Sequence, residues 1–123
     1  MEKNTDPTED FKWVIQNGDV TVVKEHFKNG VNVNEFVQNS LHIAADFGHH
    51  EMLKLLIEKG ADVNAEDKHG MTPLLAAIYE NHVECVKVLV ENGASRNGKT
   101  LQGQSYSEIA SAEVKKLLAE ESA

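Results

Sequence analysis

Val20, Val23 and Phe27 stand three and four residues apart, the spacing of a single apolar face on a helix. This predicts a helix over Val20–Lys28, closed by Gly30, a residue that takes the left-handed conformation without strain. Ahead of it, Asp6-Pro7-Thr8-Glu9 reads as a helix start: Asp6 as N-cap, Pro7 at the first helical position and Glu9 completing a capping box. That helix runs through Phe11, Val14 and Ile15 to a break at Asn17-Gly18. The same order of helix, break, helix and glycine returns twice. Leu41–Phe47, Gly48, His50–Glu58 and Gly60 form one copy, and Leu74–Glu80, Asn81, Val83–Glu91 and Gly93 the next. A shortened fourth copy follows, with helices over Ser105–Ala110 and Glu113–Ala119.

The segments that follow the second helices also repeat. Gly30-Val31-Asn32-Val33-Asn34, Gly60-Ala61-Asp62-Val63-Asn64 and Gly93-Ala94-Ser95-Arg96-Asn97 begin 30 and then 33 residues apart. A period in that range marks a stack of supersecondary units, and such stacks mostly bind other molecules. Aligning the copies sorts the second helices into columns. Val23, Leu53 and Val86 fall in a buried column, Lys24, Lys54 and Lys87 in an exposed one, and Cys85 joins Val22 and Met52 as an apolar packing residue. Between the second and third copies, Asp67-Lys68-His69-Gly70 forms a turn, after which Thr72 caps a helix that Pro73 opens.

These residues carry a resemblance to the ankyrin repeat. Asp67, Gly70, Thr72, Pro73 and Leu74 match its turn and helix start, as do Leu41-His42-x-Ala44-Ala45-x-x-Gly48-His49 and Gly60-Ala61-Asp62-Val63-Asn64. The resemblance covers roughly residues 9 to 119 and implies an all-α fold: a solenoid of about four helix-turn-helix units with short β-turn fingers. The expected units are 6–34, 35–67, 68–100 and 101–119, with residues 1–5 and 120–123 lying outside the ordered domain. In this family the first helices and finger tips line a concave surface, and terminal units present polar outer sides.

Charge adds direction. Twelve Lys and Arg against twenty Asp and Glu leave a net charge of −8. That balance opposes nucleic-acid binding, which needs clustered bases, and suits a basic protein partner. With one cysteine an internal disulfide is excluded. The polar start and the lack of a long apolar run lead us to expect a soluble monomer without signal peptide or membrane contact. The expected compartment is the cytoplasm, with the nucleus left open.

A narrower resemblance lies within the family. Phe11-Lys12-Trp13-Val14-Ile15-Gln16-Asn17-Gly18-Asp19 and the stretch from Gly60 through Tyr79-Glu80, with Leu75 where histidine is usual, look like the myotrophin-like ankyrin proteins. Such proteins bind the heterodimeric actin capping protein and keep it from filament barbed ends. The resemblance implies Trp13, Asp46, Asp67, Lys68, His69, Tyr79 and Glu80 as contacts to a basic surface of that partner, with no bond made or broken. The chain departs from the pattern in its first finger, where Glu35–Ser40 is three residues short and lacks its Gly and Pro. Phe36 and Val37 are expected to pack inward there. The fourth unit carries Ser107 where an apolar residue is usual, with Tyr106 expected to fill the gap.

Other chemistry is weaker. His42, His49 and His50 lack companions at zinc-ligand spacing, so no metal or other cofactor is expected. His82 and Cys85 stand three apart, but Cys85 falls in a buried column and no nucleophile is expected there. No glycine is spare for a phosphate loop, and no enzyme activity is expected. Leu56 with Asp62-Val63-Asn64 resembles the ankyrin asparagine-hydroxylation consensus, which makes Asn64 a candidate for modification as well as for bonding its own turn. The competing functions are an ankyrin-type inhibitor of a kinase or of a Rel-type transcription factor, and a designed scaffold. The short first finger, Ser107 and Asn81 argue against the regularity of a design.

Overall fold

The computed structural model describes residues 13–30 and 40–119. Residues 13–16 are helical and lead into α1 (Val20–Lys28). The chain continues through α2 (Ser40–Asp46), α3 (His50–Glu58), α4 (Pro73–Tyr79), α5 (Val83–Glu91), α6 (Tyr106–Ile109) and α7 (Ala112–Ala119). Three predicted helices, α1, α3 and α5, have the expected bounds. The first helices of the later units are displaced by a residue, because Ser40 and Pro73 are already helical. The proposed Asp6 cap and the shortened first finger, with Phe36 and Val37, lie outside the described residues.

Each unit is a helix hairpin, and the hairpins stack in register. The first helices form one row, α2 against α4 and α4 against α6; α1, α3, α5 and α7 form the other. The reason is in the second helices. Met52, Leu53, Leu55 and Leu56 are buried on α3 while Glu51, Lys54 and Glu58 are exposed, and α5 repeats this with Cys85, Val86, Val88 and Leu89. Two adjacent apolar stripes give each helix neighbours on both sides of the stack. The column Val23, Leu53 and Val86 is fully buried, and the lysine column beside it is exposed. At about 2–5 kcal/mol for a buried Leu→Ala change, Leu53 alone represents a large fraction of a small domain's stability.

The first helices are lined on the inside by small residues. Ala44, Ala45 and Ala77 are fully buried, which lets α2 and α4 lie close together. The hairpin turns are closed by paired backbone bonds. Gly48 N–H donates to Ala45 and His49 N–H to Ala44, and Asn81 and His82 repeat the pattern on Ile78 and Ala77. At the far end the first helix of the fourth unit is abbreviated to the four residues of α6. Tyr106 is buried and its hydroxyl lies 2.8 Å from Thr72 Oγ1, while Ser107 faces solvent. Tyr106 therefore fills the space that Ser107 leaves, as expected.

Candidate functional site

Three of the histidines, His42, His49 and His82, are structural. His42 Nε2 lies 2.7 Å from the Met71 carbonyl, tying α2 to the base of the next finger. A carbonyl only accepts, so Nε2 carries the proton, and the buried Nδ1 is left without a partner. His49 Nε2 donates to the Gln16 carbonyl at 2.7 Å, and His82 Nε2 to the Asp46 carbonyl at 3.1 Å. Each of these two rings lies flat on the hairpin glycine of the preceding unit. A Cβ at Gly18 would stand 2.7 Å from the His49 ring, and one at Gly48 would stand 2.9 Å from the His82 ring. Both glycines also have positive φ, of 68° and 76°. The third hairpin differs: Asn81 holds that position at φ 55°, and its Oδ1 accepts from Ser111 Oγ at 2.9 Å. The staple between units thus changes from histidine on glycine to serine on asparagine.

The fingers are built by side-chain acceptors. Asp67 Oδ1 accepts from the amides of His69 and Met71 at 2.8 and 2.9 Å, and the backbone closes with Asp67 N–H to Met71 O. Partial burial works to raise the Asp67 pKa. The two amide donors, with His42 and His69 nearby, outweigh it and hold the carboxyl below its ordinary 3.8. Asn64 shows a different arrangement from the expected one. Its own turn is fastened by Asp62, whose Oδ1 accepts from the Asn64 amide at 2.9 Å. The Asn64 side chain reaches to the next unit, donating to the Gly93 carbonyl at 3.3 Å and accepting from Ser95 N–H at 2.8 Å.

The fourth unit has a finger that the sequence reading did not place. Thr100 Oγ1 accepts from the amides of Gln102 and Gln104, and Thr100 N–H donates to Gln104 O at 2.9 Å. Gly103 N–H then donates to Thr100 O, just as Gly70 N–H donates to Asp67 O. Residues 100–105 therefore repeat residues 67–72 one 33-residue period later, with threonine in place of aspartate. This register puts Leu101 where Lys68 stands and Gln102 where His69 stands. The match of Gly103 to Gly70 is the signal by which the finger could have been found.

Of the candidate contacts, Trp13 is 60% exposed and Tyr79 49% exposed, and Asp46, Lys68, His69 and Glu80 are all exposed. Asp46 and Tyr79 occupy one column of the first helices, and Gln16 is their counterpart in the first unit. Trp13 lies three residues before Gln16 and shares its helix face. Phe47, which the sequence reading left aside, is half-exposed and stacks on His49 with ring centroids 6.4 Å apart. Asp67 spends one carboxylate oxygen on its own finger. His69 and Tyr79 border a groove of about 330 Å³ that runs between the two fingers and is lined also by Leu75 and Leu101.

Nothing comparable surrounds the cysteine. Cys85 is fully buried, and burial, with the Glu84 charge adding to it, pushes its thiol up to about 11. Among the described residues no group of three or more His, Cys, Asp or Glu side chains is arranged to hold a metal ion. Among them, too, no helix is long and apolar enough to cross a membrane.

A stack of helix hairpins with protruding fingers and an open row of first helices defines a repeat solenoid of the protein-binding kind. The model of three ankyrin repeats matches residues 11–100, and the chain belongs to the ankyrin-repeat family, whose repeats mediate protein–protein interaction. The chain is similar to the ankyrin repeat-containing protein P1E11.10 of Schizosaccharomyces pombe, 36% identical over half of this chain (50%) and 32% of that protein. It is 38% identical to human Rabankyrin-5 over 67% of this chain and 7% of the relative. With myotrophin of Xenopus tropicalis it shares 42% identity over 56 residues, 43% of this chain and 48% of the relative. In each case the match spans less than half the length of the relative.

Proposed function

We propose that this chain is a non-catalytic inhibitor that binds heterodimeric actin capping protein and sequesters it, so promoting growth of filament barbed ends. The observation that carries the reading is the surface left over once the staples are counted. Among the described residues the side chains of Asp46, Tyr79 and Glu80 make no hydrogen bond or ion pair, yet all three are exposed at the end of the first-helix row, with Trp13 on the same row. Aromatic groups beside carboxylates, on a chain of net charge −8, suit a basic surface that also carries apolar contacts. The local likeness to myotrophin supports the same partner.

The mechanism is competition. Trp13 and Tyr79 supply anchors that lose solvent on binding, Asp46 and Glu80 meet basic side chains, and Lys68 and His69 reach forward on the finger that Asp67 shapes. Capping protein held this way has its basic surface covered and cannot use it on a filament. On this reading the protein acts as a monomer in the cytoplasm, with the nucleus left open.

Pyrene-actin elongation from barbed ends in the presence of capping protein tests it. Excess chain should restore elongation, Trp13→Ala and Glu80→Lys should each weaken the effect, and added salt should weaken it further. Unchanged capping at excess chain would overturn the proposal. Recovery from a lysate of a kinase or a Rel-type factor without capping protein would replace it.

A further inference from the structure

Leu101 is the most exposed of the large hydrophobic residues described, at 81%. A single exposed leucine is ordinary on a protein surface, but three observations set this one apart. It stands at a finger tip where the preceding unit carries Lys68, so the unit with the matching turn keeps that position polar. The finger is held by the Thr100 hydroxyl and by backbone bonds at both ends, so the leucine is presented from a fixed turn. And it borders the groove of about 330 Å³, whose apolar lining continues through Met71, the buried Leu75 and the half-exposed Tyr79. That volume is at the small end of the range for ligand cavities, about 300–1,000 Å³.

The rim of the groove is charged. Glu66, Lys99 and His69 all line it. The lining itself sets one acid, Glu66, against Lys99 and His69, so the preference for a basic partner comes from the whole chain's net charge of −8.

We propose that the groove between the third and fourth fingers is an anchor pocket for one apolar side chain on a basic segment of the partner. Leu101 and Tyr79 flank the inserted side chain, and Glu66 meets a Lys or Arg residue beside it. The inference rests on the capping-protein reading and deepens it. It gives the basic surface a specific seat on the fourth unit, built partly from a residue outside the contacts that the family likeness implies.

The test is equilibrium binding of purified heterodimeric capping protein to the full chain, by isothermal titration calorimetry, with Leu101→Asp, Leu101→Met and Glu66→Gln beside the unsubstituted protein. Leu101 is largely in solvent, so none of its variants should lower the melting temperature. Leu101→Asp should weaken binding by about tenfold or more, the loss expected when a leucine's burial is removed, while Leu101→Met should stay within about threefold. Glu66→Gln should make the affinity less sensitive to salt. Equal binding by Leu101→Asp and the unsubstituted chain overturns the anchor pocket and leaves the capping-protein reading standing. No binding by the unsubstituted chain overturns both.

Discussion

Replacing Gly48 by alanine isolates one of the contacts between the second and third hairpins. Gly48 has φ 76°, and a Cβ there would stand 2.9 Å from the His82 ring. Two costs follow. The left-handed backbone conformation strains alanine by about 1–2 kcal/mol. The ring has to move as well, and its 3.1 Å bond to the Asp46 carbonyl is lost, at about 1 kcal/mol. The sum is about 2–3 kcal/mol, measurable as a lower urea midpoint followed by circular dichroism. The two costs separate in a double-mutant cycle, because in a His82→Ala background there is no ring to displace. There Gly48→Ala should cost only the backbone strain, leaving a coupling of about 1 kcal/mol. Equal costs in both backgrounds, or a cost below about 0.5 kcal/mol in the unsubstituted one, would refute the staple.

Two other predictions rest on the Asp67 finger and on the packing of α5. The folded pKa of Asp67 lies below its unfolded value, so its stabilisation is complete above pH 3.8 and is lost as pH falls through the lower folded value. Asp67→Asn should therefore lose less stability than the parent on acidification, as read by urea titrations at pH 3 to 7; coincident profiles would show that the finger does not depend on the carboxylate. Cys85, buried and with its thiol pushed up to about 11, should resist a disulfide reagent at neutral pH in the folded protein and react promptly in urea. Rapid reaction without denaturant would mean that α5 is not packed as described.

What could be read from the sequence is what local chemistry fixes. Thr72 accepts from the Leu75 amide and Pro73 opens α4, because a hydroxyl followed by a residue without an N–H has few other uses. The glycines and the three-and-four spacing of valines and leucines located α1 to α7 to within a residue. The misses have other causes. Asn64 next to Asp62 suggests a side chain bonded to its own turn, and only the stacking of units reveals Gly93 and Ser95 as its partners. The finger at Thr100 escaped because its builder differs in chemistry from Asp67, though its hydroxyl accepts from the same pair of amide positions. Leu101, on that finger, was hidden with it. Asp46 on α2, with Tyr79 and Glu80 at the end of α4, were named from the family likeness, and the 33-residue period puts Asp46 and Tyr79 at equivalent, exposed positions.

The change of staple from Gly18 and Gly48 to Asn81 also sets rules for how such a stack can lengthen by gene duplication. A second copy of the hairpin formed by α2 and α3 could follow the first, because the new His49 would find a bare glycine in its predecessor. A second copy of the α4–α5 hairpin could not seat in the same way, since its His82 would meet the Asn81 side chain that now receives Ser111. Growth is open in the middle of the molecule and closed at its third unit. A single residue thereby acts as a stop mark for the array.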